Sequence, residues 1–114
     1  MTSEERCPAL GSTDMKYPAL SRYDNKTMVC PEAGEIEAGI PFMIFGVDAF
    51  PEATRLMKFS RTSQGSRSPV IQKKAWDSWC QALKLVSEYG PWQEWRAAMK
   101  VAKEKALEEM LEEE

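Results

Sequence analysis

Ser68-Pro69-Val70-Ile71-Gln72-Lys73-Lys74-Ala75-Trp76-Asp77-Ser78-Trp79-Cys80-Gln81-Ala82-Leu83-Lys84-Leu85-Val86-Ser87-Glu88-Tyr89-Gly90-Pro91-Trp92-Gln93-Glu94-Trp95 carries the strongest structural signal in this chain of 114 residues. Ser68 is a good N-cap and Pro69 suits the first helical position, so a helix is predicted from there to about Glu88. Tyr89-Gly90 stops it, and Pro91 opens a second helix running toward the C-terminus. Ile71, Ala75, Trp79, Ala82, Leu83 and Val86 recur at helical spacing along the first, and Trp92, Trp95, Met99, Ala102, Ala106 and Met110 along the second. So short a connection predicts a helical corner or hairpin whose two stripes face each other or a common core. Glu108 to Glu114 holds five glutamates at a helix C-terminus, where the dipole disfavours them, so that end is expected to fray.

Upstream, the polar run Ser60 to Ser68 reads as a flexible loop carrying Arg61 and Arg67. Asp48 is placed to cap a short helix through about Lys58, with Ala53, Leu56 and Met57 on one side and Glu52, Arg55 and Lys58 on the other. Between two glycines, Gly39-Ile40-Pro41-Phe42-Met43-Ile44-Phe45-Gly46-Val47 is apolar and β-prone and reads as a buried strand or irregular crossing. Pro41 places it at an edge or a strand start.

The first third twice writes Cys-Pro-x-x-Gly, as Cys7-Pro8-Ala9-Leu10-Gly11 and Cys30-Pro31-Glu32-Ala33-Gly34. Each reads as a turn ending in a glycine able to take positive φ. Between them, Tyr17–Arg22 and Lys26–Cys30 are short β-prone segments around Tyr23-Asp24-Asn25, a plausible hairpin. The expected fold class is therefore α+β. A ribbon-like hairpin over residues 1–38 precedes a mostly helical region over 39–114, the two sharing one core.

Cys7-Pro8, Ala19-Leu20-Ser21-Arg22-Tyr23-Asp24-Asn25-Lys26-Thr27, Cys30-Pro31-Glu32, Gly34 and Glu37-Ala38 together resemble a small zinc ribbon found in short proteins of actinobacterial phages. The resemblance spans roughly residues 7–38, and Ala-Leu-Ser-Arg-x-Asp-Asn is its most specific part. Family members are mostly of unassigned function, so it implies an origin and a fold more than a biochemistry. It also implies that Cys7 and Cys30 lie close together. This chain departs from the pattern where it matters for metal. Leu10 and Ala33 replace two ligand cysteines and histidine is absent throughout, whereas structural zinc takes four thiolate or imidazole ligands. No metal or cofactor is expected. Three fates are open to Cys7 and Cys30: small buried side chains, a reversible disulfide, or residual metal binding with Glu32 or a second chain.

Composition narrows the functional classes. Hydrophobic content of 43% and charged content of 29% suit a globular protein, and no apolar run is long enough to span a membrane. An acidic start with no apolar stretch after it is unlike a secretory signal, and three cysteines favour reduced thiols, so a cytoplasmic location is expected. Charge runs in blocks: residues 1–47 hold four basic and seven acidic side chains, 48–90 seven and four, and 91–114 four and seven. Without a histidine, a phosphate loop or an acid pair at motif spacing, an enzyme is not expected. The expected function is that of a phage-type accessory protein that binds a host or phage protein. Trp76 and Trp92 are its candidate contacts, while Trp79 and Trp95 are assigned to the core. The alternative is a nucleic-acid-binding ribbon protein using Arg61, Arg67 and the basic middle, although the acidic second helix would give poor phosphate affinity. A third reading is self-association through an exposed apolar patch.

Overall fold

The computed structural model describes residues 6–13, 15 and 17–112. It is α+β: a two-stranded antiparallel hairpin followed by five α-helices. Strands β1 (Ala19–Leu20) and β2 (Met28–Val29) pair Ala19 with Val29 and Leu20 with Met28. The loop between them is organised by Asp24, whose carboxylate accepts from Lys26 N, Thr27 N and Thr27 Oγ1 at 2.9, 2.9 and 2.6 Å. Burial alone would raise the Asp24 pKa, but these bonds outweigh it and hold the carboxyl below its usual value. Asn25 takes φ 59°, a left-handed conformation that asparagine tolerates.

The second Cys-Pro-x-x-Gly is not a knuckle turn but the start of helix α1 (Pro31–Glu37). Cys30 is its N-cap, with Sγ accepting from Ala33 N at 3.5 Å, and Pro31 occupies the first turn, where its missing N–H costs nothing. Gly34 therefore needs no positive φ. It is required by close approach, since a Cβ there would lie 2.8 Å from Ala19 Cβ. Of the two repeats only Gly11 is left-handed, at φ 71°.

Helix α2 (Ile40–Phe45) replaces the expected strand or crossing. Gly39, at φ 83°, turns the chain out of α1, and Pro41 sits in the first helical turn rather than on a strand edge. A short apolar run bounded by glycines fits helix and strand alike, and packing decides between them. Here Phe42 and Phe45 meet Phe50 at 5.2 and 6.3 Å between ring centroids, and Tyr89 closes the cluster at 4.7 Å from Phe50. Met43 and Ile44 face outward.

Asp48 falls in a 3-10 turn (Val47–Ala49) and does not cap the next helix, which is α3 (Pro51–Ser63). That helix runs five residues beyond Lys58 and absorbs half of the expected loop. The cause is Ser60, fully buried, whose hydroxyl reaches Leu56 O at 2.9 Å and Ala75 O at 2.7 Å and so joins α3 to α4. The loop proper is residues 64–68. Helix α4 (Pro69–Ser87) has the predicted cap, Ser68 Oγ accepting from Ile71 N at 3.5 Å, and buries Ala75, Trp79, Ala82, Leu83 and Val86. Ile71, at the open end of its stripe, is exposed.

Helix α5 (Gly90–Glu112) turns away from α4 instead of folding back along it. Only Trp92 is fully covered and Trp95 half so, while Met99, Ala102, Ala106 and Met110 are exposed. The two stripes thus face each other only through the first turns of α5, and about 34 Å of helix underlies a molecule 57 Å in its longest dimension. Buried residues of the Cys7 turn, the hairpin and helices α1, α3, α4 and α5 form one cluster. Among the described residues no helix is long and apolar enough to cross a membrane.

Candidate protein-docking groove

Each of the two Cys-Pro-x-x-Gly stretches directs a backbone N–H at its own cysteine sulfur. Leu10 N donates to Cys7 Sγ at 3.4 Å, matching Ala33 N to Cys30 Sγ. Both thiols are free and buried. Ala33 is wholly inside the core and Leu10 packs against that core. Among the described residues no three histidine, cysteine or carboxylate side chains converge as a ligand set, and the residues present do not fit a structural zinc. Cys80 is the third member of this neighbourhood, with Sγ 3.9 Å from Pro8 O.

Burial pushes the Cys30 thiol up to about 11, with Cys7 beside it adding to the rise, and pushes Cys80 up to about 12, with Asp77 and Cys7 contributing. Both groups hold their protons more tightly folded than unfolded. Their contribution is therefore complete below the unfolded thiol value of 9.0 and is lost as pH rises through 11 and 12. Tyr23, raised by burial, acts in the same direction. Denaturant melts at stepped pH should show stability falling above about pH 9. Iodoacetamide at pH 8 should leave Cys30 and Cys80 unmodified until denaturant is added, and rapid labelling of the folded chain would contradict this account.

The four candidate contact residues do not form one patch. Trp76 is half-buried against Tyr23, at 5.3 Å between centroids, and Tyr23 also meets Trp79 at 5.3 Å. Arg61 lies on α3, outside any loop, with its guanidinium carbon 4.9 Å from the centre of the Trp79 ring. Arg67 stands exposed in the α3–α4 loop. Trp92 is fully buried and belongs to the core, which removes it as a surface contact. It stacks on Trp95 at 5.3 Å and 17°, leaving Trp95 the more accessible of the pair and only half in the core.

The sequence offers Glu32 only as a possible metal ligand and does not mark the glutamates of α1 as fasteners. Glu32 Oε2 accepts from Trp92 Nε1 at 3.2 Å and Gln93 Nε2 at 3.4 Å, with Arg96 Nε at 3.9 Å. Glu35 accepts from Arg96 Nη2 at 3.1 Å. Glu37 accepts from Ser21 Oγ and Arg22 N, both at 2.7 Å, and from Trp79 Nε1 at 2.8 Å. One seven-residue helix thus fastens the hairpin, α4 and the root of α5. The only sequence signal is three carboxylates within six residues, 39 or more residues upstream of the tryptophans, and such acids ordinarily read as a solvated face.

This fastening holds α5 at an angle that opens a groove of about 370 Å³ between α5, Glu35 of α1 and Ile40 at the start of α2. Ile40, Trp95 and Met99 supply apolar surface; Arg96, Lys100 and Lys103 supply cations. Arg96 is engaged by α1, whereas among the described residues no ion pair engages Lys100 or Lys103. A shallower depression lined by Tyr17, Leu20, Pro31 and Gly34 shares Glu35 and Ile40 and extends this surface toward β1. Chemically the groove suits an apolar stripe flanked by carboxylates. Comparison with known protein families, curated proteins and solved structures finds no match to this chain.

Proposed function

We propose that this chain is a small non-catalytic protein-binding module, and that it holds an acidic amphipathic helix of its partner in the groove beside α5. On the resemblance of residues 7–38, the partner is a host or phage protein and the location the bacterial cytoplasm. The observation that carries the reading is Trp95 and Met99, partly exposed beside Lys100 and Lys103, on a helix held from behind by Glu32 and Glu35. A rigid aromatic and an adaptable thioether next to cations that no ion pair engages among the described residues fit a helix-in-groove contact. The non-catalytic part rests on the absence of histidine and on buried thiols that keep their protons. The nucleic-acid alternative is supported less well, because Arg61 is occupied by the Trp79 ring.

The test is a fluorescence titration with a synthetic helical peptide bearing a Leu/Met stripe flanked by glutamates. Binding in the micromolar range should perturb tryptophan emission, weaken with salt and fall at least about tenfold in a Lys100→Glu, Lys103→Glu variant. Equal binding by that variant, or none by either protein at hundreds of micromolar peptide, sinks the proposal.

A further inference from the structure

We infer that the acidic end of α5 from a second copy of this chain is itself a ligand for the groove, so that two copies pair antiparallel along α5. This rests on the reading above, that the groove takes an acidic amphipathic helix.

The outer part of α5 is unpartnered: every residue from Ala97 to Glu112 is exposed. Its charges are segregated. Residues 96–105 hold Arg96, Lys100, Lys103 and Lys105 against Glu104, whereas residues 106–112 hold Glu108, Glu109 and Glu112 with no base. Such a helix complements its own reverse. When Met99 of one copy lies against Met110 of the other, Lys100 comes opposite Glu109, and the Glu108–Glu112 turn passes over the groove walled by Lys100 and Lys103. The same register puts Ala102 and Ala106 near the centre of the crossing, where small side chains let two helices approach closely. A parallel pairing would set Lys100 and Lys103 against their own copies and the glutamates against theirs.

A second feature points the same way. The last turn of α5 contains no basic residue, so its glutamates meet the negative end of the helix dipole uncompensated. In the antiparallel pair the second copy's lysines supply the missing cations. A partner bringing its own acidic helix would have to displace this one, so self-pairing would mask the groove until such a partner competes.

The experiment is sedimentation velocity on the full chain over a range of concentration and salt. The wild type is expected to dimerise at low ionic strength and dissociate as salt rises. Lys100→Glu with Lys103→Glu, or Glu108→Lys with Glu109→Lys and Glu112→Lys, should each weaken dimerisation at least about tenfold. All five positions are exposed, so neither set disturbs the core. Mixing the two variants should restore a dimer that neither forms alone, and this is the decisive arm. A monomeric wild type, a mixture that stays monomeric, or variants that dimerise as well as wild type would each overturn the inference. A monomer that still binds the acidic peptide leaves the docking proposal standing and removes only self-pairing. A monomer that does not bind it removes both.

Discussion

Trp92→Ala is expected to lower the unfolding free energy by about 4 kcal/mol and to detach α5 from the body of the protein. Trp92 is fully buried, stacks on Trp95 and donates to Glu32, so truncation opens a large cavity and leaves a carboxylate short of a donor. The loss is large because so little else holds this helix: beyond Arg96 all of it is exposed, and its remaining ties are Gln93, Trp95 and Arg96. Trp92→Phe separates the two contributions. It keeps most of the apolar bulk but removes the N–H, and should cost only about 1–2 kcal/mol. Urea unfolding followed by circular dichroism gives both numbers, and hydrogen exchange should show α5 opening first in the alanine variant. A loss below about 1 kcal/mol for Trp92→Ala would mean that the helix is anchored elsewhere. Binding of the acidic peptide should fail in the alanine variant, because the groove exists only while α5 is held beside Ile40.

The helical half of the fold was legible wherever caps and periodicity agreed. Ser68, Pro69, the Ala75–Trp79–Leu83–Val86 series and the break before Pro91 place α4 and the start of α5 within about a residue of where they lie. The hairpin was legible from its turn chemistry, because Asp24 and Asn25 do locally what their side chains favour. Reading failed where tertiary contacts override local preference. Gly39 to Val47 has β-prone composition, but the ring cluster of Phe42, Phe45, Phe50 and Tyr89 is satisfied by a helical turn. Ser60 to Ser63 looks like loop, yet Ser60 is a buried bridge between two helices. For Gly34 the sequence suggests a backbone role, whereas its actual constraint, the approach of Ala19, needs the packed pair to be seen.

The site was less legible than the fold, for a physical reason. Tryptophan count flagged the right neighbourhood, but which indole is buried depends on the angle at which α5 leaves α4, and that angle is set by Glu32 and Glu35, more than fifty residues upstream of the break. A stripe drawn on an isolated helix cannot distinguish Trp92, which is buried against α1, from Met99 or Met110, which are exposed. The same independence leaves the outer part of α5 free to serve an intermolecular contact. Its periodic apolar face is exposed, and among the described residues no ion pair engages its charged side chains beyond Arg96.

Glu37→Ala is expected to cost about 3 kcal/mol although Glu37 itself is only half-buried. The argument turns on what its removal strands. Trp79 and Ser21 are buried, and both direct a donor at Glu37 Oε2, at 2.8 and 2.7 Å. Neither indole N–H nor hydroxyl gains an equivalent protein acceptor when the carboxylate goes, and each buried unsatisfied group costs about 1–3 kcal/mol. Arg22 N is exposed and recovers a bond from water, so it adds little. Glu37→Gln should fall between, at about 1–2 kcal/mol, because the amide oxygen can serve Trp79 while its NH2 group meets the Arg22 donor face-on. The effect should also be non-additive with Ser21→Ala, since the two share one oxygen: the double variant should lose clearly less than the sum of the singles. Near-ultraviolet circular dichroism of the Trp79 indole gives an independent readout, expected to diminish in Glu37→Ala before any global unfolding. Should Glu37→Ala cost less than about 1 kcal/mol and leave that signal intact, the carboxylate would be an accessory to a hairpin held by packing alone. The expected result instead makes one carboxylate the point at which the hairpin, α1 and α4 become a single cooperative unit, doing by hydrogen bonds what a metal does in a four-cysteine ribbon.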